Sequence, residues 1–248
     1  MDRLSGGAAV IATMAELAAC LAETQACRAS EVRCEFTQAL SAKVNDAALV
    51  EAMITGLPLA QGIQQRIIRS RGRGAVLTAK VRYRDAVRML DGSALTADEA
   101  AVLASARGIV SEALCLDGDE ARFRYAYGWL CRNIRYVHTA PGQTGYERLV
   151  GAAGALQEGQ ANCQGFADVL YLLCGLCGIT CEYRCGRGEK QLHVWNAVCL
   201  NGEWREVDAS RGARNSSCRE DAVDQFDKSP TNFRQTQKNT TQDGNIMI

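Results

Sequence analysis

The sequence predicts an α+β protein in which a buried helix is followed by an antiparallel hairpin. Apolar residues recur at helical spacing over residues 166–177, which is typical of a helix inside a core. Two strand-like runs, residues 191–200 and 203–210, flank Asn201-Gly202, a dipeptide typical of two-residue hairpin turns. Nearer the N-terminus, two segments in which apolar and polar residues partly alternate predict further strands.

Composition limits the classes of function. The chain has 248 residues, 47% hydrophobic and 23% charged, which excludes a disordered, collagen-like or coiled-coil protein. Its 28 basic residues balance its 28 acidic ones, so no net field attracts nucleic acid or an anionic surface. No stretch approaches the ~18 apolar residues of a membrane span. We therefore expect neither nucleic acid nor a membrane as a partner, and the oligomeric state stays open.

The N-terminus and the cysteine content bear on localisation. Glu16 interrupts a small-residue stretch over residues 6–22, whereas a secretory signal needs a basic start and an unbroken apolar run of about 7–15 residues. The share of cysteine, 12 of 248 residues, is below the roughly 8–10% that marks a disulfide scaffold. Cysteines without a disulfide framework agree with a reducing compartment. These features favour a cytoplasmic protein. A secreted protein whose signal has been removed is the alternative.

The chain divides into three predicted parts. We expect a helix and a small α+β unit over residues 1–94 and the main domain over residues 95–214. Residues 215–248 are expected to form a polar, loosely ordered tail. The elements expected before the buried helix are, in chain order, a helix at 8–29, a strand at 32–40, a helix at 47–55 capped by Asn45 or Asp46, a strand at 75–90, a helix from the Thr96–Glu99 capping box to about Cys115, and a helix at 121–133.

A basic run crosses the N-terminal part without an acidic residue between Glu51 and Asp85. Its members are Arg66, Arg69, Arg71, Arg73, Lys80, Arg82 and Arg84. We interpret the run as a solvated strand face and turn. A nucleic-acid patch is the less favoured alternative, because no aromatic residues interleave to stack on bases.

Cys163 lies where the buried helix is expected to begin, after a polar, glycine-containing loop over residues 157–165. At a helix N-terminus, unpaired backbone N–H groups and the positive end of the dipole favour a thiolate over a thiol. A thiolate is the nucleophilic form, so this position suits a catalytic cysteine. The alternative is that Cys163 is simply a small apolar residue at a helix start.

The hairpin pairs a histidine with an acid. With a two-residue turn, Leu200 faces Glu203, and His193 then lies opposite Ser210 with Asp208 as its diagonal neighbour on the same face. The other face carries apolar residues expected in the core, namely Val194, Val198, Leu200 and Val207. An imidazole oriented by a carboxylate is the arrangement that a general base needs.

These residues carry a family resemblance. Order, spacing and flanking aromatics over residues 95–212 resemble the transglutaminase-like superfamily. The segments concerned are 133–136, 146–149, 162–167, 193–198 and 202–208. The resemblance implies a papain-like core, with the nucleophile helix packed on an antiparallel sheet. It also implies that Cys163 is the nucleophile, His193 the general base and acid, and Asp208 the orienting acid. The chain looks most like the bacterial cysteine-peptidase branch, and has no room for the extra β domains of the large animal crosslinking enzymes.

The implied reaction is acyl transfer on an amide of a protein or peptide through a thioester, without a cofactor. The oxyanion should be held by the Cys163 backbone N–H and one side-chain donor. The donors considered are Gln157, Gln160 and Gln164. Trp195 is expected to line the cleft. Tyr146 either lines the acyl groove or packs under the loop.

The crowded cysteines allow another interpretation. Cys174, Cys177, Cys181 and Cys185 supply four thiols, but their spacing differs from the paired spacings of zinc sites. We expect small hydrophobic packing there, with a metal site or a disulfide as the alternatives.

Three function classes therefore remain. We expect a peptidase or amidase ahead of amine transfer to glutamine. A catalytically silent binding module on the same fold and a metal-binding structural protein are the rivals.

Overall fold

The computed structural model describes residues 8–70, 72–139, 142–187, 192–214 and 245–247. They form helices and strands in two compact units, which confirms the α+β class. The first unit contains the described residues up to Tyr83 together with the C-terminal strand, and the second begins at Arg84. The second unit thus starts ahead of residue 95, where the main domain was expected to begin.

The first unit is built on one mixed sheet. Its elements are β1 (Ala9–Ile11), α1 (Met14–Ala26), β2 (Glu31–Phe36), α2 (Gln38–Lys43), α3 (Asp46–Gly56), β3 (Ala60–Ser70) and β4 (Gly74–Tyr83). β1 pairs with β2 in parallel, whereas β2 and β3 flank β4 in antiparallel pairing. The helix expected at 47–55 is confirmed as α3, which Asn45 caps by accepting a hydrogen bond from the Ala48 amide.

Several expectations in this unit were wrong. The Ala-rich segment 8–29 is not one helix, because a capping box between Thr13 and Glu16 starts α1 only after β1. The strand expected at 32–40 ends at Phe36, and the strand expected at 75–90 ends at Tyr83. β3 was missed, because seven of its eleven residues are polar or glycine and few are buried, so pairing with β4 defines it more than apolar alternation does.

The second unit holds the remaining elements. They are α4 (Asp85–Asp91), α5 (Ala97–Val110), a short 3-10 helix (Ala113–Cys115), α6 (Asp119–Asn133), β5 (Arg135–Tyr136), α7 (Tyr146–Leu149), α8 (Ala152–Glu158), β6 (Gln160–Ala161), α9 (Cys163–Leu176), β7 (Cys181–Arg187), β8 (Leu192–Leu200), β9 (Glu203–Val207) and α10 (Ala209–Arg214). The Thr96–Glu99 capping box is confirmed, although α5 ends at Val110. α6 confirms the helix expected at 121–133.

α9 is the centre of this unit. It packs against α4, α5, α6, α8 and α10 on one side and against β7 and β8 on the other. Nearly all of its side chains are buried, as expected for a helix that is apolar all round. The Asn196 side chain of β8 donates to the Ala167 carbonyl of the helix at 3.2 Å, which ties the sheet to the helix. The predicted packing of this helix on an antiparallel sheet is therefore confirmed.

The β8–β9 hairpin has the predicted register. Asn201 (φ 53°) and Gly202 (φ 84°) both adopt the left-handed conformation that a type I′ turn requires. Pairing runs from Leu200↔Glu203 to Asn196↔Val207, and the apolar face is buried as expected. The strand was predicted to continue to Ser210, which is wrong. It ends at Val207, and Ser210 lies in α10.

Two adjacent charged residues enter the core where the second unit begins. Arg84, predicted to be solvated, is fully buried and pairs with Asp168 of α9 at 3.1 Å. Burial raises the pKa of Asp168 to about 7, against the opposing positive charge of Arg84. The Asp85 carboxylate accepts from the backbone N–H groups of Ala152 and Ala153 at 2.9 and 2.8 Å, which holds the start of α8 beside α9.

The predicted C-terminal tail is only partly described. Residues 215–244 lie outside the described residues. Asn245–Met247 was expected to be loosely ordered, but it forms β10 and pairs antiparallel with β3. Among the helices that the structure describes, none has the length and hydropathy that crossing a membrane would require.

Two glycines in helices give a matched test of this packing. A Cβ at Gly165 would lie 2.7 Å from the Ala161 Cβ and 2.8 Å from the Leu149 carbonyl oxygen, whereas a Cβ at Gly108 meets nothing within 4 Å. We expect Gly165→Ala to destabilise the protein by about 1–3 kcal/mol through overpacking. Gly108→Ala should stabilise it by up to about 1 kcal/mol through helix propensity. Urea unfolding checks both. Equal effects of the two substitutions would contradict this account of α9.

Candidate active site

Cys163 is the first residue of α9, and its own backbone N–H is available as a hydrogen-bond donor among the described residues. The side-chain oxygen of Asn162 caps the helix by accepting from the amides of Gln164 and Gly165 at 3.0 and 3.3 Å. In the part of the chain that the structure describes, the Cys163 amide has no acceptor. The residue is 7% exposed, and its thiol hydrogen-bonds the imidazole of His193.

His193 and Asp208 contact each other directly. The distance from His193 Nε2 to Asp208 Oδ2 is 2.8 Å, and the two side chains are 13% and 12% exposed. The other carboxylate oxygen of Asp208 accepts from the Ser210 hydroxyl at 2.7 Å and from the Arg211 amide at 3.2 Å. Both oxygens are therefore engaged, so the carboxylate holds a defined orientation toward the imidazole.

Charge and burial act against each other on this pair. Burial opposes the imidazolium and is the largest single influence. Hydrogen bonds and negative charge from Asp208 and Cys163 together outweigh it and raise the pKa of His193 to about 9. Burial likewise opposes the Asp208 carboxylate, but the hydrogen bond and charge of His193, with help from Ser210, lower its pKa below the usual value. The pair thus favours an imidazolium beside a carboxylate.

The arrangement assigns a separate task to each ring nitrogen. Asp208 engages Nε2, which leaves Nδ1 for the thiol of Cys163. A thiol, a base within hydrogen-bonding reach and a third group that orients the base are the parts needed for nucleophilic catalysis. The structure brings together the three residues that the hairpin register and the helix start had singled out.

The three residues expected as oxyanion donors have different surroundings. Gln157 is exposed on α8, and the side-chain oxygen of Gln160 accepts a hydrogen bond from Arg135. Gln164 is buried, and its amide donates to the Tyr146 hydroxyl at 2.8 Å. Tyr146 is itself buried, and burial raises its pKa to about 12. Packing beneath the loop therefore describes Tyr146 and Gln164 in this structure.

Trp195 borders the site. Its ring stacks beside the His193 imidazole, with centroids 5.8 Å apart and planes 18° apart. The indole N–H donates to the carboxylate of Glu206. This contact fixes the indole next to the imidazole, which agrees with a wall of the cleft.

Sequence reasoning missed two residues near the site. Burial raises the pKa of Tyr136, and negative charge at Cys163 and Asp208 raises it further. The Arg214 guanidinium lies 4.5 Å from the centre of the Tyr136 ring. Tyr136 stands in one of the segments that carried the family resemblance, but no spacing rule gave it a role. Arg214 comes near only because α10 folds back after β9.

The crowded cysteines do not form a metal centre within the described residues. Among those residues, no group of three or more His, Cys, Asp or Glu side chains could hold a metal ion. The eleven described cysteines are free thiols. Cys174 is fully buried, as expected for small hydrophobic packing.

Comparison with known proteins finds similarity in the second unit. Residues 111–209 match the model of the transglutaminase-like superfamily. A curated relative, the human kyphoscoliosis peptidase, is 31% identical over 108 residues, which cover 38% of this chain and 16% of the human protein. The mouse kyphoscoliosis peptidase is 30% identical over 108 residues, with the same coverage of 38% and 16%. The chain thus spans less than a fifth of these relatives' length.

Solved structures are more distant. The crystal structure of a TGase is 11% identical with a TM-score of 0.41, and the alignment covers 87% of this chain and 57% of that chain. The periplasmic domain of TgpA from Pseudomonas aeruginosa is 14% identical with a TM-score of 0.39, and covers 68% of each chain.

The His193–Asp208 contact gives a pH prediction. Because the pKa of about 9 lies above the ordinary 6.5, the imidazolium stabilises the fold fully below pH 6.5, and this contribution is lost as the pH rises through about 9. Asp208→Asn removes the paired charge, so the pKa of His193 should fall by about 1 to 3. A 15N NMR titration of the two histidines measures this pKa, and the spectrum of His138→Ala shows which signals belong to His193. Glu206→Gln, which alters the carboxylate beside Trp195, is the matched control. An unchanged pKa in Asp208→Asn would contradict the prediction.

Proposed function

We propose that the protein is a thiol enzyme that cleaves amide bonds of proteins or peptides through a thioester on Cys163. The observation that carries the proposal is the imidazole of His193, bonded at Nε2 to Asp208 at 2.8 Å while it hydrogen-bonds the Cys163 thiol. The match of residues 111–209 to a superfamily that includes cysteine peptidases supports the same reaction class.

The first step forms the thioester. Cys163 Sγ attacks the amide carbonyl carbon as its proton passes to Nδ1 of His193. The carbonyl oxygen becomes an oxyanion, and the Cys163 backbone N–H, which has no acceptor among the described residues, is placed to stabilise it. The C–N bond then breaks, and the imidazolium returns its proton to the leaving amine.

The second step releases the product. Water attacks the thioester carbonyl while His193 takes its proton, and the C–S bond breaks to regenerate the Cys163 thiolate and a free carboxyl product. Asp208 retains its charge throughout and stabilises the imidazolium that forms in both steps.

Hydrolysis is favoured over amine transfer, although both reactions share the thioester. Support comes from the curated relatives, which are named as peptidases and are 31% and 30% identical to this chain over 108 residues. The reaction is hydrolysis when water attacks the thioester and transfer when an amine attacks it. An experiment that measures both products from one substrate separates the two reactions.

Selective alkylation tests the nucleophile. At about pH 6 a limiting dose of iodoacetamide should label Cys163 at least about tenfold faster than the exposed Cys27, because His193 is positioned to hold the thiol proton as the sulfur attacks. The preference should collapse in His193→Ala and persist in His138→Ala, which removes the other histidine. Peptide mass spectrometry reads out each thiol. Uniform labelling of all thiols in the wild type would overturn the assignment.

A partition assay tests the reaction. Denatured casein is incubated with the protein and a fluorescent primary amine, and new peptide termini are counted against incorporated amine. We expect new termini to exceed amine incorporation, and both signals to vanish in Cys163→Ala. Dominant amine incorporation would replace hydrolysis by amine transfer while retaining the thioester. Labelling of Cys163 without either product would reject casein-type amides as substrates.

A further inference from the structure

A second pair of reactive groups lies in the first unit. Helix α1 and strand β2 bring Cys20 and Cys34, 14 residues apart in sequence, to a sulfur–sulfur distance of 3.5 Å. The Cys34 side chain is fully buried, whereas Cys20 is partly exposed.

We propose that Cys20 and Cys34 form an oxidisable dithiol, in which a hydroperoxide oxidises the accessible Cys20 and the buried Cys34 resolves it to an intramolecular disulfide. The site is a modification site distinct from the active site. It involves neither Cys163 nor any residue of the second unit.

The contact between the two sulfurs gives the thiols different roles. The hydrogen bond with Cys34 lowers the pKa of Cys20 to about 7, although burial and the negative charge of Glu23 oppose this shift. The same contact and burial raise the pKa of Cys34 far above its usual value. Cys34 therefore keeps its proton and Cys20 supplies the thiolate, which is the form that reacts with peroxides.

The chemistry balances without a protein cofactor. The Cys20 thiolate attacks the distal oxygen of the hydroperoxide, the O–O bond breaks, and after protonation the products are a sulfenic acid on Cys20 and an alcohol or water. The Cys34 sulfur then attacks the Cys20 sulfur, and the sulfenic hydroxyl leaves as water with the Cys34 proton. Two thiols lose two electrons in total, which reduce the peroxide.

Little movement is needed for the second step. A disulfide has a sulfur–sulfur distance of about 2.05 Å, so the two atoms must approach by about 1.5 Å from their present 3.5 Å. Cys27, the exposed residue just after α1, offers a comparison on the same segment of chain. It has access to solvent but is not the sulfur that Cys34 contacts. Exposure alone therefore predicts oxidation of Cys27, whereas the dithiol geometry predicts oxidation of Cys20.

Peroxide titration of the reduced full-length chain tests the proposal. The protein is treated with about one equivalent of hydrogen peroxide, alkylated, and cleaved after glutamate. Cleavage at Glu23 and Glu31 separates Cys20, Cys27 and Cys34 into different peptides. We expect a cross-linked pair of the Cys20 and Cys34 peptides, two hydrogen atoms lighter than their sum, while Cys27 remains alkylated. The cross-link should close a loop across the first unit and raise its Tm.

Variants separate this site from the active site. The same cross-link is expected in Cys163→Ala, so failure of the proposed catalytic function leaves this test intact. Cys27→Ser should retain the cross-link. Cys34→Ser should lose it and leave a sulfenic acid on Cys20 that dimedone traps. A Cys20–Cys27 link, or thiols at Cys20 and Cys34 after Cys27 has oxidised, would overturn the proposal. The wild-type measurement decides it even if Cys34→Ser folds poorly.

Discussion

The second unit depends on the complete burial of α9. Because helices cover one side of α9 and β7 and β8 cover the other, its position is determined on all sides, and Cys163 at its N-terminus is held in one place. The absence of a side chain at Gly165 lets the first turn approach the Leu149 carbonyl closely. A buried ion pair between Arg84 and Asp168 anchors the same helix. Burying such a pair is costly unless both partners are present, so it specifies how the helix packs more than it adds stability.

The site is assembled from three places in the chain around that fixed helix. Cys163 begins α9, His193 lies near the start of β8, and Asp208 lies between β9 and α10. Each of the last two is held by its own local constraint: pairing of β8 with Gly186 of β7 sets His193, and hydrogen bonds from Ser210 and Arg211 set Asp208. Trp195, two residues along the same strand face, stacks against the imidazole and limits its rotation. Local order in three elements thus produces one preorganised arrangement.

Much of the second unit could be predicted because its signals are local. A turn that demands two left-handed residues identified the β8–β9 hairpin, and its register follows from the side-chain period of two. The capping box at Thr96 and Glu99 located α5. Elements of the first unit were harder to predict from the sequence, since β3 is a largely polar strand that is defined by its pairing with β4. Arg84 was misjudged because burial of a charge depends on a partner 84 residues away in sequence.

By itself, the sequence determined the type of most elements of the second unit, the hairpin register and the residues able to do thiol chemistry, since these follow from spacing and backbone preference. The tertiary structure alone decided which groups meet. It ended β9 at Val207 and turned the chain into α10, so Asp208 reaches His193 from a loop. It placed the Gln164 amide in a hydrogen bond with Tyr146, and it brought Cys20 on a helix into contact with Cys34 on a strand. Contacts of this kind depend on how elements pack in three dimensions, and no periodicity along the chain encodes the distance between two side chains on different elements.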